Sequence, residues 1–255
     1  MKSTEFLLVL IGLIAFVAVS QAATDYCDKE LCGTAKHIAC NATGQFAKTC
    51  SSDRKLVEMT PDIIKAILAR VNKLRNTLAS GNITKFQPCP RMASVQWNAE
   101  LSTLAKYNCQ TCKYAHDACH NTKTCPQSGQ NIGIVFSDQP LTNSPLSMML
   151  GIIDDWWAEN KDTTMNDINK YPENPKNVIG HFTEMAIASN NLMGCYGATF
   201  KSAQFNNNYA FYFVCNFKKI NIINGQIYPS GKSASKCTSG ANSNYKALCS
   251  ENEKY

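Results

Sequence analysis

Thirteen cysteines carry most of the reactive chemistry in this chain: Cys27, Cys32, Cys40, Cys50, Cys89, Cys109, Cys112, Cys119, Cys125, Cys195, Cys215, Cys237 and Cys249. A cysteine can pair, bind metal or attack as a thiolate, and spacing and compartment decide which. Spacing argues against zinc, because Cys109-x-x-Cys112 has no second CxxC to complete a ribbon. Compartment argues for pairing. Lys2 precedes an apolar run over residues 6–19, and the small residues Ser20, Ala22 and Ala23 follow. That is the pattern of a secretory signal, cut between about residues 20 and 24. The run falls short of the roughly 20 residues a membrane span needs, and no later stretch reaches that length. An exported chain meets an oxidising compartment, so most cysteines should be bridged, and the odd count leaves at least one thiol over. The triplets Asn41-Ala42-Thr43 and Asn82-Ile83-Thr84 are glycosylation acceptors that agree with export.

Several elements must position these residues. Residues 24–59 hold four of the cysteines and few large apolar side chains, so disulfides must hold this segment against the main domain. Thr60-Pro61-Asp62 opens a helix whose stripe is Ile63, Ile64, Ile67, Leu68, Val71, Leu74 and Leu78, with Gly81 ending it. Trp97–Cys112 reads as a second helix, Leu146–Glu159 as a third and Val178–Ser189 as a short fourth. The period then changes. Gly194–Phe200 and Tyr209–Phe217 are rich in aromatic and β-branched residues and read as two strands of a hairpin turning at Asn206-Asn207-Asn208. Cys195 and Cys215 lie on those strands, where a cross-strand bridge fits. Helices first and strands later predict an α+β domain. Residues 229–255 form a polar tail in which Cys237 and Cys249 close a loop of their own. The expected organisation is a signal over residues 1–23, a Cys-rich segment over 24–59, the domain over 60–228 and the tail over 229–255. The net charge of +6 is dispersed, with no long Lys/Arg run. That excludes an ordinary nucleic-acid binder and leaves room for weak attraction to anionic lipid or glycans.

Four motifs in order carry a family resemblance. Gly180-His181-Phe182-Thr183-Glu184-Met185 resembles the GHFTQ signature of the CAP superfamily, which comprises the cysteine-rich secretory, antigen 5 and pathogenesis-related 1 proteins. Val214-Cys215-Asn216-Phe217 with Gly225-Gln226-Ile227-Tyr228 resembles its VCNY…GxxxY signature. Ser128-Gly129-Gln130-Asn131-Ile132 resembles its G-E/Q-N motif, and Val71-Asn72-Lys73-Leu74-Arg75 its HNxxR helix. The early cysteine block and Cys112-Lys113-Tyr114-Ala115-His116-Asp117-Ala118-Cys119 look like the insect antigen 5 branch, whose members include the venom allergens. The resemblance implies a three-layer α-β-α sandwich and the pairs Cys27–Cys40, Cys32–Cys119, Cys50–Cys112 and Cys195–Cys215. It leaves Cys89, Cys109 and Cys125 unassigned.

The resemblance also implies a cleft lined by His116, Gln130, Glu159 and His181. Its two imidazoles, His116 and His181, would bind zinc or copper weakly, because a tight site wants three or four good ligands and Gln130 stands in place of a carboxylate. A hydrolase needs a nucleophile beside a base. The hydroxyls nearest in sequence, Thr183 and Ser128, lie in no GxSxG elbow. Met148, Met149, Ile152 and Ile153 are either helix core or, less in keeping with their spacing, the lining of a lipid groove. The implied function is therefore a secreted, non-enzymatic binding protein that requires no cofactor. Its partner would be an extracellular protein, a small hydrophobic ligand or a metal. A metal-dependent hydrolase using His116, Glu159 and His181 is the alternative.

Overall fold

The computed structural model describes residues 24–255. The signal segment lies outside the described residues. The centre of the molecule is a mixed sheet in the order β1 (Lys55–Val57), β4 (Leu192–Ser202), β5 (Asn208–Phe217), β3 (Gly129–Ser137). These strands pair antiparallel, and a two-residue strand β2 (Gln96–Trp97) adds in parallel to the start of β4.

Strand β5 shows how the sequence makes three layers. Successive side chains of a strand point to opposite faces. Phe211, Phe213, Cys215 and Phe217 accordingly enter one apolar cluster, shared with helices α2 (Pro61–Ala79), α4 (Pro145–Ala158) and α6 (Gly180–Ala186). Ala210, Tyr212 and Val214 enter a second cluster beneath α3 (Ala99–Cys109). A strand buried on both faces reads as a continuous aromatic run, which is what Tyr209–Phe217 is. The result is an α+β chain folded as an α-β-α sandwich.

Helix ends follow their caps. Thr60 accepts from the Ile63 amide and Ser144 from the Ser147 amide, each ahead of a proline in the first turn. The second helix is shorter than the predicted 97–112, because Asn98 accepts from the Leu101 amide and starts it at Ala99. Trp97 is thereby left in β2, and Cys112 turns out of the helix with φ of 53°. The fourth helix likewise contracts to Gly180–Ala186. The hairpin turns through a 3-10 stretch at Ala203–Phe205 and left-handed Asn206 and Asn207. Strand β3 and helices α1 (Lys29–Cys32) and α5 (Met165–Asn169) had no counterpart in the sequence reading.

Arg75 locks α6 to α2. It is wholly buried and donates to the carbonyls of Ala93, Met185, Ile187 and Ala188. Burial lowers its pKa to about 10, so the guanidinium remains charged. Its neighbour Asn72 exchanges two hydrogen bonds with Val95, and Val71 is packed in the apolar stripe. The chain beyond residue 228 is more than a polar tail. Ala247, Leu248 and Cys249 are buried, the Ala247 amide donates to Asn76 Oδ1 at 2.9 Å, and the Cys249 amide to the Met92 carbonyl at 2.8 Å.

Five disulfides join Cys27–Cys40, Cys32–Cys119, Cys50–Cys112, Cys195–Cys215 and Cys237–Cys249. Cys89, Cys109 and Cys125 are buried free thiols. Burial pushes the Cys89 thiol up to about 11, and those of Cys109 and Cys125 upward too, so they stay protonated and unreactive.

Candidate functional site

A cleft of about 630 Å³ opens between the loop 110–128 and α6. His116, Gln130 and His181 line it, whereas Glu159 stands behind His181. The structure thus brings the four residues together, three lining the cleft and one behind it.

The His181 wall is built on a helix N-terminus. Helix α4 runs into a 3-10 turn at Glu159–Lys161, which delivers the Glu159 carboxylate to the first turn of α6. One oxygen accepts from the His181 and Phe182 amides at 2.9 and 3.0 Å. The other lies 2.5 Å from His181 Nδ1. The carboxylate satisfies amides that a helix start leaves unpaired, and the N-terminal dipole favours its charge. Trp156 lies parallel to the imidazole with centroids 5.9 Å apart, and Asn131 donates to the His181 carbonyl at 3.0 Å. The ring is fixed in place and in orientation.

The His116 wall is built on an irregular loop. Cys50–Cys112 and Cys32–Cys119 clamp its ends, and Asn121 bonds it to Leu31 and Ser128. His116 is exposed, with Nδ1 2.9 Å from Gln130 Oε1. The Gln130 amide donates to Asp117 Oδ2 at 2.7 Å and to Asn216 Oδ1 at 2.9 Å. A carboxylate could make neither bond, and this explains glutamine here.

Asp117 supplies the acid that Gln130 lacks and lines the cleft too, but its oxygens are taken by Asn108, His120 and Gln130 and not by His116. Its Oδ1 lies 2.7 Å from His120 Nδ1, and His120 Nε2 faces the Gly129 carbonyl at 3.1 Å. Both ring nitrogens therefore face acceptors. Burial pushes the Asp117 carboxyl up, but His120, Asn108 and Gln130 outweigh it and hold the pKa at about 2. The sequence reading passed over Asp117 and His120. Their signal was adjacency to His116 and an i, i+3 spacing.

Glu184 was also passed over as a site residue. It lies under the cleft, 3% exposed, accepting from the Asn221 amide at 2.9 Å. It packs against Gly129 so closely that a β-carbon there would collide with Oε1. Burial raises its pKa to about 8, so it holds a proton at neutral pH and acts as a neutral group. The signature it resembles has glutamine at this place, which is neutral outright.

The nearby hydroxyls are committed elsewhere. Thr183 donates to the Ile179 and Gly180 carbonyls, and Ser128 to the Phe217 carbonyl at 2.7 Å. No group of three or more His, Cys, Asp or Glu side chains among the described residues is placed to hold a metal ion. The donor set of the cleft therefore does not fit a tightly held ion. Met148, Met149, Ile152 and Ile153 are buried in the core cluster and not in the cleft.

Comparison with known proteins agrees with this architecture. The profile of the CAP cysteine-rich secretory protein family matches residues 68–217. The chain is 32% identical over 244 residues to Venom allergen-1 of Aedes aegypti, covering 95% of this chain and 93% of that one. It is 35% identical over 199 residues to the antigen 5 like allergen Cul n 1 of Culicoides nubeculosus, covering 74% and 88%. Among solved structures, NaASP2 with Zn2+ superposes with a TM-score of 0.60 at 20% identity, over 79% of this chain and all of that one. At that identity the likeness concerns the fold.

Proposed function

The chain belongs to the cysteine-rich secretory protein family, and on that footing we propose that it is a secreted, non-enzymatic binding protein of the antigen 5 type. The cleft between His116 and His181 is its ligand site. The observation that carries this reading is that Glu159, Gln130 and the two nearby hydroxyls, the groups a hydrolase would call on, are already bonded within the protein. Glu159 is spent on His181 and α6, Gln130 on Asp117 and Asn216, and both nearby hydroxyls on backbone carbonyls. No nucleophile stands ready beside a base. What the cleft offers outward is imidazole edges at its walls and apolar side chains, Val178 and Ile220, at its rim. That mixture suits an extracellular protein segment or a small amphiphile, with a divalent ion only a weak and dispensable occupant.

The organisation that goes with this reading is a signal removed from residues 1–23, a disulfide-held segment over 24–59, the domain over 60–228 and a tail over 229–255. Asn41 and Asn82 are both exposed and would carry glycans. Native mass measurement of the secreted protein tests the reading, with His116→Ala/His181→Ala as the comparison. A copurifying ligand lost from the double variant is the expected result. Hydrolysis of a peptide or ester panel that disappears with the same substitutions would overturn it in favour of an enzyme.

A further inference from the structure

Large apolar side chains exposed among the described residues are few: Phe136, Val178, Ile220, Ile222 and Ile223. Phe136 stacks on Phe205 with centroids 4.4 Å apart, so part of its surface has a partner within the chain. The other four gather on one side of the molecule. Val178 and Ile220 share the cleft rim, and Ile222 and Ile223 continue the same loop. Their exposures are 68%, 44%, 50% and 49%.

The loop that displays the three isoleucines is tied down by hydrogen bonds. Asn221 donates its amide to Glu184 and its side chain to the Gly180 carbonyl, both at 2.9 Å. The Gly225 amide closes a turn onto the Ile222 carbonyl at 2.7 Å, and a β-carbon at Gly225 would meet that carbonyl. The Asn224 amide donates to the Tyr171 carbonyl and the Tyr171 amide to the Gly225 carbonyl, each at 2.8 Å. These backbone groups are already bonded within the protein, and the isoleucine side chains are what the loop presents.

The charge along the two segments that carry the patch is mainly basic, although Asp162 stands 3.5 Å from the Asn177 side chain beside Val178. Across residues 170–178 and 218–226 the charges at the surface are Lys170, Lys176, Lys218 and Lys219 against Glu173. Lys218 donates to the Tyr255 carbonyl at 3.1 Å, whereas Lys170, Lys176 and Lys219 take part in no ion pair among the described residues. Protein interfaces concentrate binding in Trp, Tyr and Arg and are depleted in Lys. Aliphatic tips ringed by unpaired lysines are instead the composition that enters a headgroup layer of negative charge.

We propose that Val178 and the Ile220–Ile223 loop form a docking surface for an anionic phospholipid membrane, which brings the mouth of the cleft to the lipid. The full chain is to be sedimented with vesicles of phosphatidylcholine alone and of phosphatidylcholine mixed with phosphatidylserine. Binding to the mixed vesicles, weakened by salt, is expected. Ile222→Ser/Ile223→Ser should lower partitioning by about tenfold or more. Lys170→Gln/Lys176→Gln/Lys219→Gln should reduce it to the level of the neutral vesicles. All these side chains are at least partly exposed, so unchanged thermal unfolding of each variant shows that the loss is not misfolding. The proposal is overturned if the native chain ignores the mixed vesicles, or if the isoleucine variant binds them undiminished. It also fails if that variant loses only self-association, which would make the patch a contact between two copies.

Discussion

The two walls of the cleft present the same side chain on opposite kinds of support. His181 is held by the packed sandwich: its ring is gripped by Glu159 and flanked by Trp156, and its helix is tied to α2 through Arg75. His116 is held by covalent staples around a loop, and its one polar grip among the described residues is Gln130. The electrostatics differ in the same way. The acid of the first wall points at the histidine of the cleft, while the acid of the second, Asp117, is taken by Asn108, His120 and Gln130 and not by His116. Burial and hydrogen bonds can fix a functional group on a helix. A loop too polar to bury itself needs cross-links to reach similar order.

The comparison is broken most severely at Glu159. Glu159→Ala leaves two helix amides and an imidazole nitrogen without their acceptor, and should cost about 4 kcal/mol in urea unfolding. Hydrogen exchange should rise in α6 and stay unchanged in the loop 110–128. Cys32→Ser/Cys119→Ser does the reverse. It should cost about 3 kcal/mol, with faster exchange around His116 and little change at His181. If both variants loosen both walls, the supports are not independent.

Gln130→Glu sharpens the electrostatic half of the contrast. A carboxylate would face Asp117 and Asn216 Oδ1 with no proton to donate, so about 2 kcal/mol should be lost at pH 7 and regained in acid. Glu184→Gln should stabilise by about 4 kcal/mol at pH 8. The folded pKa of Glu184, about 8, lies above its ordinary 4.5. Its contribution is therefore intact below about 4.5 and is lost as pH rises through 8, and glutamine removes that loss. Asp117 gives a smaller effect and the opposite sign. Its folded pKa of about 2 lies below the ordinary 3.8. Its stabilisation is present above about 3.8 and fades as pH falls through 2, by about 2 kcal/mol, and Asp117→Asn should flatten that acid limb.

Much of the fold was legible because local patterns and tertiary needs agreed. The α2 stripe, its Thr60 cap and the aromatic run of β5 each name their own partner layer. Strand β3 was not legible, because its start, Gly129-Gln130-Asn131, is polar and becomes buried only by bonding across the sandwich to Asp117, Asn216 and His181. The tail was read as polar for the same reason: Ala247 and Leu248 are too short a signal to show that they enter the core. In the site, His116, Gln130, Glu159 and His181 were visible through their motifs. Asp117, His120 and Glu184 were not, since nothing in their spacing says which way a carboxylate turns.

Residue types alone determined the cysteine supply, the caps, the alternation of β5 and the presence of two imidazoles with one glutamine between their motifs. Those are local properties, set by side-chain chemistry and by the periods of helix and strand. Only the tertiary structure decided that Glu159 supports from behind, that Asp117 answers to His120, that Glu184 keeps its proton and that four aliphatic side chains share one face. Orientation, burial and long-range pairing settle such matters, and they exist only once distant segments have packed together.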